Sequence, residues 1–164
     1  MEKKYILTDD VIDFNGYTLH RIKAVRDFDC VKAGDLGGFI ESEKNLDHDG
    51  DAWVTDSARV AGDAWVTDSA RVTGDAWVTG DAWVTGDAVV TGAADFAVIS
   101  GFGRVFRTTT FFRCKDNLVR CKCGCFYGTV DEFRSKVRET HGNSKYAKEY
   151  LMIADLMELH FKED

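Results

Sequence analysis

Proline is absent from the 164 residues, so no position lacks a backbone donor and long uninterrupted backbone pairing is open to the chain. No run approaches the roughly 18 apolar residues that a membrane span needs. The start, MEKKYILTDD, lacks the apolar core of a signal peptide, and a soluble, intracellular protein is expected. Cysteines number five, an odd count with four crowded between Cys114 and Cys125, unlike the even set of a secreted disulfide framework. They read as reduced thiols. Cations are outnumbered, giving a net charge of -7; that argues against generic nucleic-acid binding, whose affinity comes from Lys and Arg neutralising phosphates. What is present, 45% hydrophobic and 30% charged residues, suits one compact domain or a solenoid with caps.

Self-similarity dominates the middle of the chain. From Ala52 it reads AWVTDS ARVAGD AWVTDS ARVTGD AWVTGD AWVTGD AVVTGA. Alanine recurs every six residues to Ala94, and two places further on stand Val54, Val60, Val66, Val72, Val78, Val84, Val90 and then Phe96. Within each unit the order small, large, Val, Thr alternates as a short strand does, so Ala and Val point inward while Trp, Arg and Thr point outward. The Gly-Asp or Asp-Ser that follows is a turn former. Such a unit cannot bury its apolar edge alone and must stack on its copies.

An aliphatic residue followed four places later by a small one, as Val54 is by Ala58, resembles the hexapeptide repeat of the left-handed parallel β-helix. The resemblance implies triangular coils of 18 residues, about three of them between Leu46 and Val105. It divides the chain into an N-terminal β-hairpin cap (1–38), a hexapeptide-repeat β-helix (39–105) and a C-terminal cap of one β-hairpin and two helices (106–164). Residues 18 apart would then lie one above another: Trp65 on Trp83, Arg59 under Trp77 and Trp53 under Arg71. The four outward tryptophans, Trp53, Trp65, Trp77 and Trp83, read as staples between coils or as an interface. The homotrimer common among hexapeptide-repeat proteins would hide them. The entry VKAGDLGGFIESEKNL is similar to that of a group of bacterial and prophage hexapeptide-repeat proteins, some labelled acetyltransferase-like. That likeness implies a protein in the cytoplasm of a bacterial host.

Outside the repeat, Asn15-Gly16 between two alternating segments predicts a tight hairpin. Residues 108–127 read as another, turning at Asp116-Asn117. That turn would set Phe112, Cys114, Val119, Cys121 and Cys123 on one face, with Phe111, Arg113, Lys115, Arg120 and Lys122 on the other. The spacing of Cys114, Cys121, Cys123 and Cys125 departs from the paired C-x2-C of zinc sites, so buried structural thiols are expected, zinc being the alternative. Thr129 to Glu132 fits a capping box for a helix stopped by Gly142. Ser144 caps a second helix, on which Tyr150, Met157 and Phe161 recur at helical spacing and are expected to close the repeat or meet a neighbouring subunit.

Charge is unevenly divided. Residues 46–103 carry ten acidic and two basic side chains, whereas 104–122 carry Arg104, Arg107, Arg113, Lys115, Arg120 and Lys122 against Asp116 alone. A basic cap on an acidic barrel reads as complementarity between surfaces or as an anion site, because arginine clusters suit phosphate. Acyltransfer, which the family resemblance raises, would need acyl-CoA and a histidine base. Of His20, His48, His141 and His160, only His48 stands at the entry to the repeats. No long loop interrupts them, and the near-identical copies at 52–60 and 64–72 are twelve residues apart, not eighteen, so they build length and no unique catalytic centre. The expectation is a non-catalytic, cofactor-free oligomer: a phage or prophage accessory protein, with counter-defence one form, that binds a host protein or sequesters an anionic nucleotide-type ligand. Acyltransfer and pure self-assembly are the alternatives.

Overall fold

The computed structural model describes residues 2–163; Met1 and Asp164, the outer ends of the two expected caps, lie outside the described residues. Strands β1 (Tyr5–Phe14) and β2 (Tyr17–Ala24) form the expected hairpin, with Asn15 and Gly16 both at positive φ as the tight turn demands. Strand β3 (Leu36–Ile40) pairs antiparallel with β2 and then parallel with β5 (Arg59–Val60), which pairs with β8 (Trp77–Val78). A second sheet joins β4 (Trp53–Val54), β7 (Arg71–Val72) and β10 (Val89–Val90); a third joins β6 (Trp65–Val66) and β9 (Trp83–Val84). The fourth is an antiparallel meander of β11 (Phe96–Phe102), β12 (Arg107–Arg113), β13 (Val119–Cys123) and β14 (Phe126–Thr129), followed by α1 (Val130–His141) and α2 (Lys145–His160).

The expectation of one left-handed parallel β-helix of three coils is therefore corrected: the strands belong to four separate sheets, one mixed, two parallel and one antiparallel. The repeat strands are only two residues long, so each face makes its own narrow ladder and none runs the length of the chain. Pairing at a spacing of 18 does occur, at Trp53↔Arg71, Arg59↔Trp77 and Trp65↔Trp83. The N-terminal hairpin is no separate cap, because β3 ties it edge to edge into a repeat ladder. The C-terminal hairpin is instead a four-stranded sheet. It recruits residues 96–102 out of the repeat, leaving Ala94 exposed where an inward alanine was expected.

Burial follows the alternation closely. The repeat alanines from Ala52 to Ala88 and the valines from Val54 to Val90 are no more than 1% exposed, and Phe112 of the fourth sheet and Cys114, which bridges to Ala88 just beyond it, join that core. A second core lies between the fourth sheet and the helices, around Phe111, Cys121, Phe133, Ile153 and Phe161. The β12–β13 register corrects another expectation. Pairing of Arg113 with Val119, continued by the Cys114 amide donating to the Leu118 carbonyl at 2.9 Å, leaves a loop of three residues that ends on Asn117 at φ 66, where two were expected. A shift of one residue exchanges the two faces of a strand against its partner. Phe111 consequently sits opposite Cys121 and Phe112 opposite Arg120, and Cys114 parts company with Cys121 and Cys123.

The repeat turns carry one local device. Asp56 accepts from the Thr73 hydroxyl at 2.5 Å and the Gly74 amide at 3.3 Å; Asp68 does the same to Thr85 and Gly86. Both aspartates have positive φ. At the third corner the equivalent residue is Gly62, at φ 66, and the buried Thr79 hydroxyl has no partner among the described residues. Asn tolerates this backbone and brings no second carboxylate beside Glu41, which accepts from the Gly62 amide. Gly62→Asn should therefore raise stability by about 1 kcal/mol, a gain of roughly 2 to 4 °C in Tm. An unchanged or lower Tm would count against the hydrogen-bond account.

Candidate anion-binding cavity

A cavity of about 430 Å³ opens between the fourth sheet and the helices. Its walls are apolar: Phe126 from β14, Phe133 and Val137 from α1, Tyr150 from α2 and Val105 from the β11–β12 loop. Its cations are Arg104, Arg107 and Lys136, with the His141 ring beside them. The loop is pinned to α2, since the Gly103 amide donates to Glu149 at 2.9 Å and the Tyr150 hydroxyl donates to the Phe102 carbonyl at 3.3 Å. Arg107 lies against the β13–β14 turn so closely that a β-carbon on Gly124 would fall 1.7 Å from its Nη1. Burial, with Cys123 beside it, pushes the Tyr150 hydroxyl up to about 12; at neutral pH it is a donor and adds no negative charge.

The six cations expected to act together are divided by the fold. Arg113 is held by Asp95 at 3.3 Å and by the Phe161 carbonyl at 3.1 Å, and Lys115 faces Asp87 at 3.5 Å. Arg120 forks onto Asp116 at 2.9 and 2.8 Å, holding that carboxyl down at about 2. Lys122 Nζ stands 4.3 Å over the Trp83 ring. Arg104 and Arg107 remain, exposed and with no ion pair among the described residues, and both line the cavity.

The residues expected at an interface are largely used inside the chain. Trp53 is 3% exposed beneath Phe28 and Tyr5, and Trp77 is flanked by Phe14 and Tyr17. Trp83 stacks on Trp65 at 4.8 Å and donates to the Thr67 hydroxyl, leaving Trp65, at 39%, the most exposed of the four. Tyr150, Met157 and Phe161, expected to close the repeat or meet a neighbouring subunit, are buried in the second core of their own chain. The exposed apolar stripe of α2 is the opposite one, Met152, Leu156 and Leu159. Among the described residues no helix is long and apolar enough to cross a membrane.

His48 is nearly buried against the Tyr5 ring, and its Nδ1 accepts from the Lys4 amide at 3.1 Å, so it lies away from the cavity and is occupied as a structural acceptor. The four cysteines do not converge, and among the described residues no group of three or more metal-ligating side chains is assembled. Burial pushes the Cys114 and Cys121 thiols up, as suits structural positions. Cys123 and Cys125 instead line the cavity. Lys136 and His141 were not assigned to a site from the sequence, although it holds a signal for them: Phe133, Lys136, Val137, Thr140 and His141 fall on one face of α1. The chain matches no protein-family model and no curated protein sequence.

Proposed function

We propose that the chain is a non-catalytic binding protein whose cavity takes a small anion with an aromatic or apolar body, a nucleotide-type ligand. The observation that carries this reading is the pairing of two arginines free of ion pairs, Arg104 and Arg107, with a wall of Phe126, Phe133 and Tyr150. Guanidinium groups suit phosphate and aromatic rings suit a base, and a mainly apolar pocket with a few convergent polar groups is the usual form of a small-molecule site. The binding reading is supported over acyltransfer by the burial of His48, whose Nδ1 accepts from the Lys4 amide. The likeness of the VKAG-to-GGFI entry to prophage proteins supports a phage accessory role, with sequestration of a host nucleotide signal as its counter-defence form.

Thermal shift in the presence of mono-, di- and cyclic nucleotides tests the proposal. A ligand at a hundred times its Kd adds about 2.7 kcal/mol, a rise of roughly 5 to 10 °C for a domain of this size. Replacing Arg104 and Arg107 together by Gln should remove that rise while leaving the unliganded Tm in place, since neither forms an ion pair among the described residues. If no nucleotide moves the Tm, the nucleotide reading is lost.

A further inference from the structure

The β13–β14 turn gathers a chemistry that nucleotide binding does not use. Cys123 ends β13, Gly124 and Cys125 make the turn, and Phe126 begins β14 opposite Cys123. Both sulfur-bearing residues line the cavity, and the Arg107 guanidinium lies against the glycine between them. Cys125 is exposed. Cys123 is half-buried, and its sulfur accepts from the Thr109 hydroxyl at 3.1 Å. An exposed thiol that lines one cavity with two arginines is placed to meet disulfides whose carboxylates the guanidinium groups attract.

We infer that this turn is a thiol-exchange site for small disulfides that carry carboxylates, with Cys125 as the attacking group. The inference rests on reading the cavity as an anion site. In the exchange, the Cys125 thiolate attacks one sulfur of R–S–S–R. The S–S bond breaks and a Cys125–S–S–R bond forms. The electron pair leaves on R–S⁻, which takes up the proton that Cys125 gave up. Arg104 and Arg107 hold the carboxylates of the incoming disulfide and stabilise the departing thiolate.

The molecule supplies its own control. Cys30, the other exposed thiol, is flanked by Asp29 and shares its surroundings with Asp35 and Arg71. Reduced protein would be treated briefly at low ionic strength with oxidised glutathione, an acidic disulfide, or with cystamine, a basic one. Mass spectrometry of the peptides would then give the ratio of modification at Cys125 to that at Cys30. The ratio should be roughly tenfold or more higher with oxidised glutathione than with cystamine, and the Arg104→Gln/Arg107→Gln variant should bring the two ratios within about twofold. Equal ratios for the two reagents in the native sequence, a comparison that needs no variant, would overturn the inference, as would a preference that survives loss of both arginines. The outcomes separate from those of the nucleotide test. A preserved thiol preference with no nucleotide binding removes the nucleotide and keeps the exchange site; nucleotide binding with equal ratios does the reverse.

Discussion

Alanine at Gly38 should cost the fold roughly 3 kcal/mol, and at Gly37 about as much, the upper end of what overpacking a tight interior produces. Both glycines lie in β3, the strand that joins the N-terminal hairpin to the repeats, and both are buried. A β-carbon on Gly38 would fall 2.6 Å from the Ala58 carbonyl oxygen and 2.8 Å from Val54 Cγ1; on Gly37, 2.5 Å from the Val54 carbonyl oxygen and 2.6 Å from Ile22 Cγ1. A side chain can turn aside, but these oxygens belong to backbone. The Ala58 oxygen already accepts from the Phe39 amide at 2.9 Å, so β3 must give up its seat on the repeat to admit a methyl group. With a typical slope for urea unfolding, the midpoint should fall by about 1.5 M. Leu36→Ala, at an exposed position of the same strand, should stay within about 0.5 kcal/mol. A loss under about 1 kcal/mol at Gly38 would show that the strand slides freely and that the close approach is not what selects glycine.

These glycines illustrate where the sequence was legible. The inward Ala and Val from Ala52 to Val90, the partners 18 residues apart, the Asn15-Gly16 turn and the caps at Thr129 and Ser144 are local or periodic signals, and each appears where it was expected. Lateral pairing carries no such signal. Nothing in the period of six says that one ladder recruits β1 to β3 while another stops at two strands. The β12–β13 loop accommodates two residues or three, and the difference rests on Asn117 taking a positive φ, a choice settled by the packing of Phe111 and Phe112 in two different cores. The cavity was half legible. Arg104 and Arg107 were singled out as part of a cationic run, but their separation from Arg113, Lys115, Arg120 and Lys122 depends on which cations meet Asp95, Asp87, Asp116 and Trp83 in space. On α2 the spacing identified a stripe correctly, yet spacing alone does not say that Tyr150, Met157 and Phe161 are covered by the same chain.

Between pH 8 and pH 9 the native sequence should gain about 1 kcal/mol of stability relative to Lys4→Met, in which the rise should be absent. Lys4 is fully buried; its ammonium donates to the Ala52 carbonyl at 2.8 Å and the Gly50 carbonyl at 3.3 Å and stands 5.0 Å from the centre of the Phe28 ring. Burial is the main cause that pulls its pKa down from 10.5 to about 8; Arg26 and Arg71 add to the fall, while Asp47 and Asp51 oppose it. The folded protein thus releases this proton near pH 8 while the unfolded chain keeps it to about 10.5. Where the unfolded state binds more protons, raising the pH favours the fold, so the full interval offers roughly 3 kcal/mol. Part of that gain is withdrawn. The Cys114 and Cys121 thiols and the Tyr5 hydroxyl are all pushed above their ordinary values by burial, so their unfolded forms ionise first and erode stability from about pH 8 for the thiols and pH 9 for Tyr5, leaving only a shallow net rise. The expected profile is a rise over pH 8 to 9 that flattens and then reverses, measured as urea midpoints in matched buffers. In Lys4→Met the same interval should be flat or falling, because only the opposing groups remain; a parallel rise in the variant would assign the slope to another group. Since the Lys4 amide also holds His48 Nδ1, this locus is structural chemistry at the end of the molecule where sequence alone had looked for a catalytic base.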